Sequence, residues 1–198
     1  MRPWFPILIV ATLIASAQAP SAVPVDQEPH HKVVFKNDFV RVVDATFPPG
    51  YVTLNHAHDV DNVAVTISTG REGTENPGTT GRAGFSKGGY AHRVTNSGPS
   101  TMRFIDVEIL KTDRPGAAAA QLPFHTLETE NERVRIYRLK LGPDESIPAH
   151  VHAAGWIEVT VKGGSGPGTF VWHAAGDSGP LKVAAGSAPL EIVELEPK

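Results

Sequence analysis

The sequence predicts an all-β protein made of two small barrels or sandwiches, and three observations carry that prediction. Residues 31–70 lie over 125–164 at an offset of 94 without a gap, with ten identities in forty positions. A gapless match of this density marks an internal duplication, so one copy predicts the shape of the other. Residues 39–47, 63–68, 134–141 and 158–161 alternate apolar with polar side chains, as half-buried strands do. Pro-Gly, Gly-Gly and Asn-Ser-Gly turn signals bound these stretches, and 19 Gly and 17 Pro supply many turns.

The identities are His31/His125, Asn37/Asn131, Val40/Val134, Arg41/Arg135, Pro49/Pro143, His56/His150, His58/His152, Val65/Val159, Thr66/Thr160 and Gly70/Gly164. Val42/Ile136, Phe47/Leu141, Val63/Ile157 and Ile67/Val161 keep the apolar face in step. The helix-favouring patch 116–121 lies between the copies beside Pro115 and Pro123 and reads as linker. The chain therefore divides into a leader at 1–19, a tail at 20–30, a first repeat at 31–112, a linker at 113–122 and a second repeat at 123–198.

The leader has one Arg, an apolar stretch over 4–15 and then small residues, the plan of a secretory signal. A membrane-spanning helix needs roughly 20 apolar residues, and this stretch stops short and contains Pro6. The expectation is an exported protein, periplasmic or secreted, with no stable membrane anchor. Formal net charge is −3, one unit more negative once Arg2 is removed, and no basic run is present. Nucleic acid is excluded as a partner on that ground. The chain has no Cys, so a metal must be held by His, carboxylate or amide groups.

His56 and His58 stand two apart after a turn at Gly50. On a strand they share a face, and both rings can reach one ion. A later turn and strand, Gly81-x5-Lys87-x-Gly89-x2-His92-x3-Asn96, carries a third His. Together these stretches resemble the two cupin motifs, G-x5-HxH-x(3,4)-E-x6-G and G-x5-PxG-x2-H-x3-N. Gly50, His56, His58 and Gly70 match the first; Gly81, Gly89, His92 and Asn96 match the second, with Lys87 at the usual Pro. The resemblance implies two double-stranded β-helix (jelly-roll) barrels and a divalent metal bound by His56, His58 and His92. The usual Glu falls on Val63, and on Ile157 in the second copy. Asn62 and Asp61 stand one and two positions earlier, but a one-residue slip would turn Val65 and Ile67 off the core face. Three neutral imidazoles with no carboxylate are expected.

Three neutral ligands leave the ion's double charge uncompensated, which favours a small anionic molecule as ligand. Cupins with three histidines are similar to thiol, gentisate and diketone dioxygenases, which favours Fe2+; imidazoles also suit Zn2+, Mn2+, Ni2+ or Cu2+. The function implied is oxygen-dependent oxidation. Two other readings are a non-catalytic module that binds or senses a metal or metabolite, and a metal-dependent isomerase or lyase with Tyr90 or Glu108 as base. The assembly is a monomer or a homodimer.

The second copy keeps His150 and His152, but Gly179 stands opposite His92 and Val183 opposite Asn96. It reads as a degenerate, structural barrel, in which His173 is a possible third ligand and Glu158 points away from the apolar face. The recurrence of His31 as His125 suggests a structural position, with weak chelation by His30 and His31 as the other reading. Arg41 and Arg135 read as braces more than as anion ligands, and Trp156 and Trp172 as core aromatics. The Gly-rich stretch 70–89 lines the barrel mouth or is a solvated loop.

Overall fold

The computed structural model describes residues 21–71, 80–112, 122, 124–148, 150, 152, 154–177 and 188–198. The expected leader, the 116–121 patch, Gly179 and Val183 lie outside the described residues. The described residues form β1 (Val23–Pro24), β2 (His31–Lys36), β3 (Val40–Phe47), β4 (His56–His58), β5 (Asn62–Thr69), β6 (Ala83–Ser86) and β7 (Tyr90–His92). They continue with β8 (Met102–Ile109), β9 (His125–Glu130), β10 (Val134–Leu141), β11 (Trp156–Lys162), β12 (Phe170–His173) and β13 (Leu190–Pro197). No described helix is long and apolar enough to cross a membrane.

Two five-stranded sheets share one plan. The first runs β2-β3-β8-β5-β6, and the second, read from its β9 edge, runs β9-β10-β13-β11-β12. Val40 pairs with Ile109 and Val134 with Pro197. Asp106 and Glu194 therefore occupy one station of the plan, and Glu108 and Glu196 another.

The alternating pattern decides which face each strand gives up. Val40, Val42, Val63, Val65, Ile105 and Val107 form one buried cluster with Val134, Ile136, Ile157, Val159, Val193 and Leu195. The apolar faces thus meet between the two sheets, where burying a Val or Ile contributes about 1.5–3 kcal/mol each. Trp172 stacks on Phe39 across this junction, with ring centroids 5.8 Å apart. Arg133 Nε donates to Asp61 Oδ2 at 2.9 Å, and Arg138 Nη2 donates to Gly81 O at 2.6 Å. At Gly81 the Gly-rich stretch is therefore packed on the neighbouring sheet.

The opposite face of the first sheet looks across at a three-stranded sheet, β1-β4-β7. In that wall His56 pairs with His92 and His58 with Tyr90. The matching face of the second sheet carries a smaller cluster of Leu139, Leu141, Ile147, Leu190 and Ile192.

Two motif positions lock the wall's connections. Gly70 has φ +74°, and a Cβ there would lie 2.5 Å from Asn96 Oδ1. Buried Asn96 donates to the carbonyls of Phe47 and Ser100 at 2.9 and 2.8 Å and accepts from the Gly98 N–H at 3.0 Å. The lock ties the end of β3 to the chain on either side of the Gly70 and Ser100 turns. Asn96→Ala leaves both carbonyls short of a donor, and a loss of about 2–4 kcal/mol in denaturant unfolding is expected.

Candidate metal centre

The wall strands bring the three sequence-marked histidines together. His56 and His58 are buried on β4. The His92 ring on β7 lies 4.5 Å from that of His56 and 5.3 Å from that of His58. His92 Nε2 and His58 Nε2 are 3.3 Å apart. His56 Nδ1 lies 3.0 Å from Leu54 O, to which Nδ1–H donates, and this leaves Nε2 buried with no hydrogen-bond partner. A ring anchored through Nδ1 with a bare Nε2 is the form in which histidine ligates a metal.

A fourth ring joins them. His31, on β2, lies 4.4 Å from the His56 ring and 6.4 Å from that of His58. Donor atoms of His31, His56 and His58 all lie within 4.8 Å of one another. Its Nδ1 sits 2.6 Å from Glu28 Oε2, and Glu28 also accepts from the His30 N–H and Tyr51 OH, each at 2.8 Å. Of the two readings of His31, a structural position or a chelating one, its place in the histidine cluster favours the second. The sequence signal was its recurrence as His125, which pattern alone does not connect to a motif 25 residues away.

Among the described residues the donor group of the first barrel is His31, His56 and His58, and two carboxylates stand behind His58 without joining it. Val63 belongs to the junction between sheets, whereas Asn62 faces the cavity, donating to Asp106 Oδ1 at 2.7 Å. The strand has not slipped; its apolar face is the one turned away from the site. Asp106 Oδ2 and Glu108 Oε1 approach His58 Nδ1 at 3.4 and 3.8 Å. They stand behind the ring, and Nδ1 makes no hydrogen bond to either.

Burial, then the neighbouring His92 and His56, push His58 down to about 3. Burial, then His56 and His31, push His92 down to about 4. Burial raises Asp106 to about 7 against the opposing Asn62 hydrogen bond. Both imidazoles are neutral at physiological pH, as metal binding requires. Their folded values lie below the ordinary 6.5, so the stability they confer is present above 6.5 and lost as pH falls toward about 3. Asp106 acts in the opposite sense, losing stability as pH rises from 3.8 through about 7, and offsets part of that slope. Denaturant midpoints of the metal-free chain should therefore fall between pH 6.5 and 3, and His58→Phe should flatten the fall.

Phe47, Ala64, Tyr90, Val94 and Phe104 line a cavity of about 130 Å³ together with His31, His58 and His92. Tyr90 lies parallel to His58, with centroids 5.0 Å apart, and its OH donates to Asn62 Oδ1 at 3.1 Å. Glu108 is fully buried and ion-paired with Arg41, so it braces β3 against β8. Clustered imidazoles, with His56 Nε2 and His58 Nδ1 both buried and partnerless, suit a borderline divalent ion.

No protein-family model and no curated protein matches the chain. Among solved structures, it is similar to a variant of salicylate 1,2-dioxygenase from Pseudoaminobacter salicylatoxidans in complex with gentisate. Identity is 10%, covering 87% of this chain and 76% of that one, with a TM-score of 0.56. The salicylate 1,2-dioxygenase of Pseudaminobacter salicylatoxidans gives 9% identity over 80% and 70% of the two chains, with a TM-score of 0.52. A cupin domain from Bordetella pertussis is 24% identical over 46% of this chain and 98% of its own, with a TM-score of 0.35. The fold is that of the cupins. The cupin wall strands carry His56, His58 and His92, and the cavity opens beside them.

Proposed function

We propose that the first cupin barrel binds one divalent metal ion through His56, His58 and His92, with His31 alongside, and oxidises a small anionic molecule with dioxygen. The observation that carries this reading is the buried, partnerless His56 Nε2 among three other imidazoles beside an apolar-walled cavity. A bound ion, Fe2+ in the favoured case, would supply Lewis acidity and one-electron chemistry. The likeness to salicylate 1,2-dioxygenase supports the reading at the level of fold.

The surrounding residues bind and orient. Leu54 O and Glu28 fix the ring planes of His56 and His31 from behind, and Asp106 Oδ2 stands 3.4 Å from His58 Nδ1. Phe47, Ala64, Val94 and Phe104 give the cavity apolar walls. About 130 Å³ is close to the space benzene occupies in a protein, so a ligand of on the order of six heavy atoms fits inside, with any larger part at the mouth. The Tyr90 ring stacked on His58 limits where that ligand can lie. The secretory leader read from the sequence supports an extracytoplasmic place for this activity.

The test is oxygen consumption by the Fe2+-loaded chain with small hydroxy acids, thiols and diketones. Substrate-dependent uptake in the wild type that is lost in His58→Ala supports oxidation. Tight ligand binding without uptake under any metal overturns it in favour of a binding module.

A further inference from the structure

We propose that the second repeat holds its own divalent metal ion, on His125, His150, His152 and Glu194. This centre is separate from the first, and His125 and Glu194 lie outside the paired-histidine motif. The donor atoms of the four residues all lie within 4.8 Å of one another. Three come from positions that match His31, His56 and His58 across the duplication, while the fourth comes from β13.

The hydrogen bonding around the cluster leaves a place for an ion. Nδ1 of His150 lies 3.3 Å from Pro148 O, and its Nε2 is buried with no hydrogen-bond partner. Buried His152 has a carboxylate at each nitrogen: Glu196 Oε2 at 3.2 Å from Nδ1 and Glu194 Oε2 at 3.0 Å from Nε2. A neutral imidazole has one N–H. Once Nδ1–H serves Glu196, the Nε2 lone pair confronts an anionic oxygen, and a cation between them relieves the repulsion. Glu196 is itself held by Arg135 Nη1 at 2.5 Å, so Nε2 is the ring atom left to the cluster. Glu194 Oε2 also lies 2.9 Å from His125 Nε2. A tetrahedral ion with bonds near 2.0–2.1 Å sets its ligands about 3.3 Å apart, so a small outward movement accommodates it. Trp156 lies against the His152 ring at 4.2 Å and fixes its plane.

His173 takes no part: its ring lies parallel to Trp156 at 4.5 Å, and its Nε2 is 3.0 Å from Glu158 Oε1.

One methylene separates the two centres. At the station of Glu194 the first sheet carries Asp106, whose shorter arm reaches the Nδ1 side of His58 and is tied to Asn62. Glu194 reaches the Nε2 side of His152. The second centre thus has three imidazoles and one carboxylate, a net charge of +1 with the ion, and four protein donors. Four protein donors close a tetrahedral site, which suits Zn2+ held for structure.

The test is calorimetric titration of the metal-free full chain with Zn2+. The expected count is two ions for the wild type and one each for His56→Ala/His58→Ala and His150→Ala/His152→Ala. Glu194→Gln should weaken only one of the two, by at least tenfold. The ion retained by each pair of variants shows that its chain is folded. A wild type that binds one ion, lost with the second pair alone, upholds this centre and removes the first. No ion in His56→Ala/His58→Ala, or a count unchanged by His150→Ala/His152→Ala, overturns the proposal and leaves a proton between His152 and Glu194.

Discussion

Arg135→Ala is expected to lower the unfolding free energy by about 3–5 kcal/mol, because it takes the guanidinium away from a buried carboxylate. Arg135 is 1% exposed; its Nε donates to Glu130 at 3.0 Å and its Nη1 to Glu196 at 2.5 Å. Glu196 is fully buried and cannot recover the lost hydrogen bond from water. Equilibrium guanidinium unfolding reads the effect directly. Arg135→Met with Glu196→Leu should recover much of the loss, since replacing a buried ion pair by apolar residues is often neutral. The Glu196→Leu change in that pair frees Nδ1 of the His152 ring, so it should also weaken the proposed second metal centre. The recurrence of Arg41 and Arg135 is thereby explained as bracing: each arginine pairs with the glutamate opposite it on the neighbouring strand.

His58→Ala is expected to weaken metal binding in the first barrel at least 100-fold, or about 2.7 kcal/mol. His58 stands among the other groups: its Nε2 lies 3.3 Å from that of His92, the His56 ring is 5.3 Å away, and Asp106 stands behind it. His31→Ala and His92→Ala each remove one flanking ring and should cost less, about tenfold to 100-fold. Titration in a His150→Ala/His152→Ala background isolates these effects from the second cluster. Equal losses for all three substitutions would show that the ion has no preferred ligand among them.

The fold was legible because alternation and duplication act over many residues. The expected strands 39–47 and 134–141 contain β3 and match β10. What the pattern could not say was where the apolar face goes. Val63, Val65 and Ile67 were read as facing the core, and they do, but that core lies between two sheets. The cavity therefore receives the other parity, with Asn62 and Asp106 in it. The nearness of His56, His58 and His92 was legible through spacing, since β4 and β7 are short and pair in register. His31, Glu28 and Glu194 were not, because each reaches its cluster from a strand or turn far along the chain. Only strand pairing sets Glu194 opposite Tyr137 and Asp106 opposite Val43. The one-methylene difference between those acids then decides which nitrogen of a histidine each can reach.

X-ray absorption at the metal edge of the His150→Ala/His152→Ala chain, loaded with one equivalent of Zn2+, examines the first centre itself. A shell of at least three imidazole nitrogens near 2.0–2.1 Å, with the multiple scattering of histidine rings, is the expected spectrum. A shell of oxygen atoms with one imidazole or none would contradict a histidine-held ion in the first barrel.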